Sequence, residues 1–219
     1  RDGRGKDKLA DAEREVKSTD PNAEVYSLLF DVRDNAQVTS AIESLPEEWK
    51  NIDVLINNAG LALGLDPEYD GDVNEWETMI DTNIKGLLYM TRAVVPLMIK
   101  NGRGHIINIG SVAGDAAYAN GNVYCATKSA VKALSDGLRI ELTHTPLRVT
   151  NLKPGLVETN FSNTRFHGDK ARAKNVYKGI EPLTGADIAD VAYFAASAPA
   201  HVQIAEVLIL ATHQASATV

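Results

Sequence analysis

Cysteine is nearly absent: Cys125 is the only one in 219 residues, so no disulfide can close within the chain, and a reducing compartment suits it. Basic residues are in the minority, 22 Lys and Arg against 29 Asp and Glu. The resulting net charge of −7, with a sequence pI near 5.2, leaves no basic footprint for nucleic acid or an anionic membrane. Long apolar runs are also missing. Stretches such as Val54–Ile56 and Val207–Ala211 are far too short to cross a bilayer, so neither nucleic acid nor membrane is an expected partner. Five scattered histidines (His105, His144, His167, His201 and His213) show no metal-ligand spacing, and no metal is expected. The first twenty residues are charged rather than signal-like, which makes the cytoplasm the expected location. No repeat, low-complexity tract or Pro/Gly/Ser linker divides the chain, so residues 1–219 read as a single domain.

What is present is an alternation. Short, nearly continuous apolar runs predict strands buried on both faces over Val25–Val32, Asp53–Asn57, His105–Ile109, Arg148–Leu152 and Glu206–Leu210. Between them, helical patterns cover Lys6–Lys17, Ala36–Leu45, Val73–Lys100, Val123–Thr143 and Ala186–Ala196. Thr184 and Asp187 have the spacing of a capping box, with Asp in place of the usual Glu or Gln. Such alternation predicts an α/β, doubly wound parallel sheet of Rossmann type, joined by right-handed crossovers. One part of that pattern is lacking: a central first strand and a glycine-rich phosphate turn. Gly3 and Gly5 follow no strand and are weak substitutes. The first strands of the sheet are expected to be missing, leaving backbone groups unpaired, and the natural polypeptide is predicted to continue upstream of Arg1.

The chemistry-bearing residues lie past strand ends. Tyr124 and Lys128 are four apart in a helical stretch, so their side chains leave one face a turn apart. A nearby ammonium favours phenolate and makes a phenol usable for proton transfer near neutrality. Ser111 follows the His105–Ile109 strand, placed to hydrogen-bond the same substrate oxygen. By itself the Tyr-x-x-x-Lys spacing is equally a half-buried Tyr beside a snorkelling Lys. Further signals accompany it in order: Asn57-Asn58-Ala59-Gly60 past one strand, Pro154-Gly155 past another, and Asn83 inside a helix, where Asn is poorly suited unless its side chain is engaged. Cys125, with no base at a suitable spacing, reads as a packing residue rather than a nucleophile.

On these residues the chain, from about Asp7 onward, resembles the short-chain dehydrogenase/reductase family. The resemblance implies a catalytic tetrad of Asn83, Ser111, Tyr124 and Lys128. Tyr124 is then the acid/base, Ser111 the orienter of the substrate oxygen, Lys128 the ligand of the nicotinamide ribose, and Asn83 the holder of a relay water. It also implies cofactor contacts from Asp31 and Val32 on the adenine side, from Asn58, Ala59 and Gly60 on the adenosine ribose, and from Pro154, Gly155, Val157 and Thr159 around the nicotinamide, with Tyr124 and Lys128. The family's glycine-rich turn has no counterpart here. The C-terminal third, with Pro154–Asp169, Ala173–Tyr177, Pro199–Val202 and Thr212–Ala215, resembles the NADP-dependent 3-hydroxy acid (serine, allo-threonine) dehydrogenases, which implies NADP rather than NAD, with Arg1 as a remnant of the cofactor-selecting position. A carboxylate substrate needs a cation, and Arg165 is the residue expected to supply it beside Ser111 and Tyr124.

Two further expectations concern assembly and class. Helices 73–100 and 123–143 carry apolar residues on more than one face, which suits a homodimer or homotetramer built through them; a thicker monomeric core is the competing explanation. The alternatives to a small hydroxy acid or hydroxy amino acid dehydrogenase are a broad-specificity NADPH carbonyl reductase and a non-catalytic oligomeric scaffold that lacks the dinucleotide cradle.

Overall fold

A computed structural model describes residues 4–217. Helices α1 (Arg4–Thr19) and α2 (Asn35–Glu43) come first; Asp34 caps α2 by accepting from Ala36 N and Gln37 N. Strand β1 (Val54–Asn57) follows, then α3 (Val73–Ile80), a π-helical turn (Asp81–Gly86) and α4 (Leu87–Asn101). The second half runs β2 (His105–Ile109), α5 (Asn122–Glu141), β3 (Arg148–Pro154), α6 (Phe161–Arg165), α7 (Lys170–Asn175), α8 (Gly185–Ser197) and β4 (Glu206–Ile209). The strands pair in parallel in the order β1-β2-β3-β4, with Ile107 opposite Ile56 on one side and Thr150 on the other. Thr184 and Asp187 do form the reciprocal cap of α8.

Alternation along the strands gives each face its own helices. Leu55, Ile106 and Val149 pack against Val94, Val95 and Met98 of α4 and against Leu142, whereas Ile107 and Leu152 meet Ala192 of α8. Both faces are therefore covered along the central strands β2 and β3. Ile106 is completely buried, so Ile106→Ala should cost about 2–5 kcal/mol in urea unfolding, from lost burial plus the cavity left behind.

The expected first strand is not one. Val25–Val32 forms no regular element and pairs with no strand among the described residues. A strand exists only as half of a ladder, and this segment is held by side chains instead. Tyr26 contacts Trp49 with ring centroids 5.6 Å apart, and Val32 lies against Gly86, where a Cβ would come within 3.0 Å of its Cγ2. Val54 and Ile56 of β1 are 40% and 49% exposed on the face opposite α4. Gly5 is also reassigned: it lies inside α1 against Leu29, in helix packing rather than a phosphate turn, and Gly3 lies outside the described residues.

Candidate active site

The site forms where β1, β2 and β3 end. From β2 the chain turns through Ser111 into a short 3-10 turn, Val112–Gly114, and Ser111 caps that turn by accepting from Ala113 N at 3.1 Å. The same hydroxyl reaches the Pro154 carbonyl at 3.4 Å and lies close enough to the Tyr124 phenol to favour its ionised form. Tyr124 and Lys128 leave one face of α5, both buried, with the Lys128 ammonium 5.9 Å from the centre of the Tyr124 ring. Lys128 Nζ donates to the Ile109 carbonyl at 2.8 Å and stands near Gly60, where a Cβ would lie 3.5 Å from it.

Asn83 occupies the π-helical turn, an irregularity common at functional sites. Its Oδ1 accepts from Leu61 N at 2.9 Å, and its Nδ2 donates to the Leu61 carbonyl at 2.8 Å and to Thr127 Oγ1 at 3.0 Å. Both amide protons are thereby spent, so this side chain has no donor left for a relay water. It clamps the 58–61 loop to α5 through Thr127. Helical propensity pointed to an engaged side chain but could not show the π-turn or the Thr127 partner.

Electrostatics correct the expected tuning of the phenol. Burial pushes the Tyr124 phenol above its ordinary value, opposed by Ser111 and, more weakly, by Arg165. Burial also pulls the Lys128 ammonium down to about 8. The two groups share a face as their spacing predicts, but desolvation outweighs their mutual attraction here.

Arg165, at the end of α6, does reach the site. Its guanidinium lies 5.8 Å from the Tyr124 ring centre, its Nε donates to the Gly64 carbonyl at 3.0 Å and its Nη1 to the Tyr118 hydroxyl at 2.9 Å. Phe161 packs edge-on against Tyr124 at 5.7 Å. The mouth beside Tyr124 is lined by Leu63, Trp76 and Met79 and by the carboxylates of Asp66, Glu68, Asp72 and Glu75. Asn122 Nδ2 donates to Glu68 at 3.0 Å, and Glu75 lies 2.7 Å from His167 Nε2. Sequence reasoning missed these acids, which lie on the loop before α3 and in its first turn, where no spacing marks them.

The other expected contacts divide. Asn58, Ala59 and Gly60 are exposed at the carboxyl end of β1. Past β3, Gly155 N bonds the Ile209 carbonyl, Val157 bridges to Leu183, and Thr159 Oγ1 accepts from Phe161 N. Gly155 is tightly enclosed, since a Cβ there would come within 2.1 Å of the buried Gln214 Oε1. The exposed Asn58–Gly60 backbone at the carboxyl end of β1, with Lys128 beside Gly60, leaves the strand ends open to part of a dinucleotide. Asp31 turns its carboxylate to Arg33 in an exposed 2.6 Å ion pair, which holds its pKa below the usual range, while Val32 packs on the π-turn. Arg1 lies outside the described residues. Among those residues no cluster of side chains could hold a metal, and no helix is long and apolar enough to cross a membrane.

A parallel sheet with a Ser, Tyr and Lys gathered at its carboxyl edge defines a nucleotide-binding oxidoreductase class. The chain belongs to the short chain dehydrogenase family, whose profile matches residues 3–170. It is 51% identical over 181 residues to the NADP-dependent 3-hydroxy acid dehydrogenase YdfG of Escherichia coli K12, covering 82% of this chain and 73% of that protein. It is 49% identical over 193 residues to the NADP-dependent 3-hydroxy acid dehydrogenase of Schizosaccharomyces pombe, covering 88% and 74% respectively. Among solved structures, the closed form of serine dehydrogenase complexed with NADP+ superposes with a TM-score of 0.89 at 47% identity, covering 94% of this chain and 83% of that one.

Proposed function

We propose that this protein is an NADP-dependent oxidoreductase acting on the 3-hydroxyl of a small 3-hydroxy acid or hydroxy amino acid such as serine or allo-threonine. The observation that carries the reading is Tyr124 flanked by Ser111, Lys128 and Arg165, in a chain about half identical to 3-hydroxy acid dehydrogenases. NADP, when bound, takes up or gives the hydride. Asn58–Gly60, Lys128 and the Pro154–Thr159 segment would hold it, and Asp31, Val32 and Arg1 complete the proposed contacts.

The chain's own residues move the proton. Ser111 orients the substrate oxygen, and Tyr124 gives a proton to that oxygen in reduction or takes it in oxidation. Held above its ordinary pKa, the phenol is in the donating form at neutral pH. Arg165 pairs with the substrate carboxylate. Among the described residues its second terminal nitrogen makes no hydrogen bond, because the other donors serve Gly64 and Tyr118. The carboxylates around it favour a substrate that also carries an ammonium, which places a hydroxy amino acid ahead of a plain hydroxy acid.

Arg165→Met should raise KM for serine on the order of 10- to 100-fold, the loss of one charge-assisted pair, and leave reduction of a neutral ketone nearly unchanged. Equal losses on both substrates would remove Arg165 from carboxylate recognition. Turnover of bulky ketones with none of serine would instead favour a broad-specificity carbonyl reductase, which the apolar Leu63, Trp76 and Met79 wall would suit. Assembly through helices 73–100 and 123–143 as a homodimer or homotetramer and a cytoplasmic location belong to the same proposal. Ile80, Leu88, Ile99 and Ile140 are exposed on these helices, and sedimentation would read the state.

A further inference from the structure

A buried cation stands directly behind the site, and the reaction scheme above does not use it. Lys153 is the penultimate residue of β3, its side chain only 8% exposed, between the carboxylates of Asp115 and Glu206. Its Nζ lies 2.7 Å from Asp115 Oδ2 and is also ion-paired with Glu206 at the start of β4. Burial works against the ammonium, but the two carboxylates outweigh it and raise its pKa. Lysine is rarely buried unless paired in this way.

The placement of the two carboxylates differs. Glu206 faces Lys132 of α5, at 3.4 Å, and belongs to a surface chain that continues through Asp136 to Arg139. Asp115 terminates the 3-10 turn that Ser111 begins, with its backbone N bonded to the Val112 carbonyl. That turn is thus tied to consecutive residues of β3 at both ends: Ser111 Oγ to the Pro154 carbonyl, and Asp115 to Lys153. Its middle lies on α5, where Ser129 Oγ donates to the Gly114 carbonyl at 2.8 Å and a Cβ on Gly114 would meet the Lys128 carbonyl at 2.7 Å. Packing on α5 sets the distance of the turn from Tyr124. The lysine sets its place relative to Pro154, where the nicotinamide-side segment begins.

We infer that Lys153 is a positioning residue: through Asp115 it fixes the Ser111 turn to the end of β3 and so aligns the serine hydroxyl with both Tyr124 and the cofactor segment. The inference rests on the tetrad reading above. A small displacement of an orienting group is costly in rate, because reacting atoms must be held to within a fraction of an ångström.

The test separates the two carboxylates that share the lysine. Asp115→Asn cuts the link to the turn and leaves Lys153 paired with Glu206; Glu206→Gln does the reverse. With NADP and serine, Asp115→Asn should lower kcat on the order of tenfold with KM for NADP within about twofold. The deuterium isotope effect from 3-deuterated serine should rise as hydride transfer becomes limiting, which a mere loss of folded protein would not produce. Asp115→Glu should recover most of the rate, and Glu206→Gln should match the unaltered protein. If Asp115→Asn does not fold, Lys153→Gln is read in its place, with the same fall in kcat and rise in isotope effect expected. Unchanged kinetics in the turn-side variant, or equal losses in the Asp115 and Glu206 variants, would overturn the inference. Ser111→Ala keeps the two failures apart. If it is slow while Asp115→Asn is normal, only the role of Lys153 falls; if it is fully active, the tetrad reading itself fails.

Discussion

Tyr124→Phe should reduce turnover of serine by about 10²- to 10⁴-fold, the usual contribution of a positioned acid/base, while NADPH binding followed by fluorescence stays within a few-fold. The phenylalanine ring preserves the contacts with Phe161 and with the Lys128 and Arg165 cations. Only the hydroxyl beside Ser111 is lost. Because burial holds the phenol protonated, oxidation in the unaltered enzyme should quicken as pH rises from 7, since a proton must leave before the alcohol can be deprotonated. Carbonyl reduction should stay level over the same range, because the donating form is already complete. The rise in oxidation should vanish in the variant. Rates that fall less than tenfold would mean that the proton leaves by another route.

Lys128→Met is expected to act on activity and stability in opposite directions. Lys128 is buried and its pKa falls from 10.5 to about 8, with desolvation as the cause. The native protein therefore releases this proton near pH 8, whereas the unfolded chain keeps it to about 10.5. Between those values the unfolded state binds more protons, so stability rises with pH through the window. The cost of burying the ammonium is complete below pH 8 and gone above 10.5. Methionine removes that cost but leaves the Ile109 carbonyl without its 2.8 Å donor, a loss of about 1 kcal/mol. The net gain at pH 7 should be roughly 2 kcal/mol, seen as a higher melting temperature that disappears near pH 10.5. Turnover should fall at least 10²-fold, because the group beside Gly60 that would hold the nicotinamide ribose is lost. A variant less stable at pH 7 would show that the ammonium is better solvated than its surroundings imply.

Much of this arrangement was legible in the chain, for identifiable reasons. β2 and β3 are short runs buried from both sides, and a parallel sheet covered by α4, α5 and α8 leaves that mark directly in composition, while the edge strands β1 and β4 are buried on alternate residues only in part. Val25–Val32 carries the same mark but lacks a neighbour, and pairing is a property of two segments rather than one. The oddness of Asn83 was visible, yet the π-turn that holds it depends on contacts with Leu61 and Thr127 far along the chain. Spacing put Tyr124 and Lys128 on one face of α5. It carried no information about burial, which is why the direction of the phenol's shift came out reversed. The place of Arg165 after β3 marks it in the sequence, and the fold brings it to Tyr124 through α6. The acids at the mouth and the Asp115–Lys153 pair behind it join residues far apart in the chain, Asp115 and Lys153 by 38 positions and Glu68 and Asn122 by 54, and had no local signature.

The most direct measurement is a crystal structure of the enzyme with NADP and serine bound. The substrate 3-hydroxyl should lie within about 2.6–3.2 Å of the Tyr124 phenol oxygen, with Ser111 as its second partner and the carboxylate toward Arg165. A hydroxyl seated away from Tyr124, with Ser111 still bonded only to protein, would contradict the assignment of proton transfer to this tyrosine.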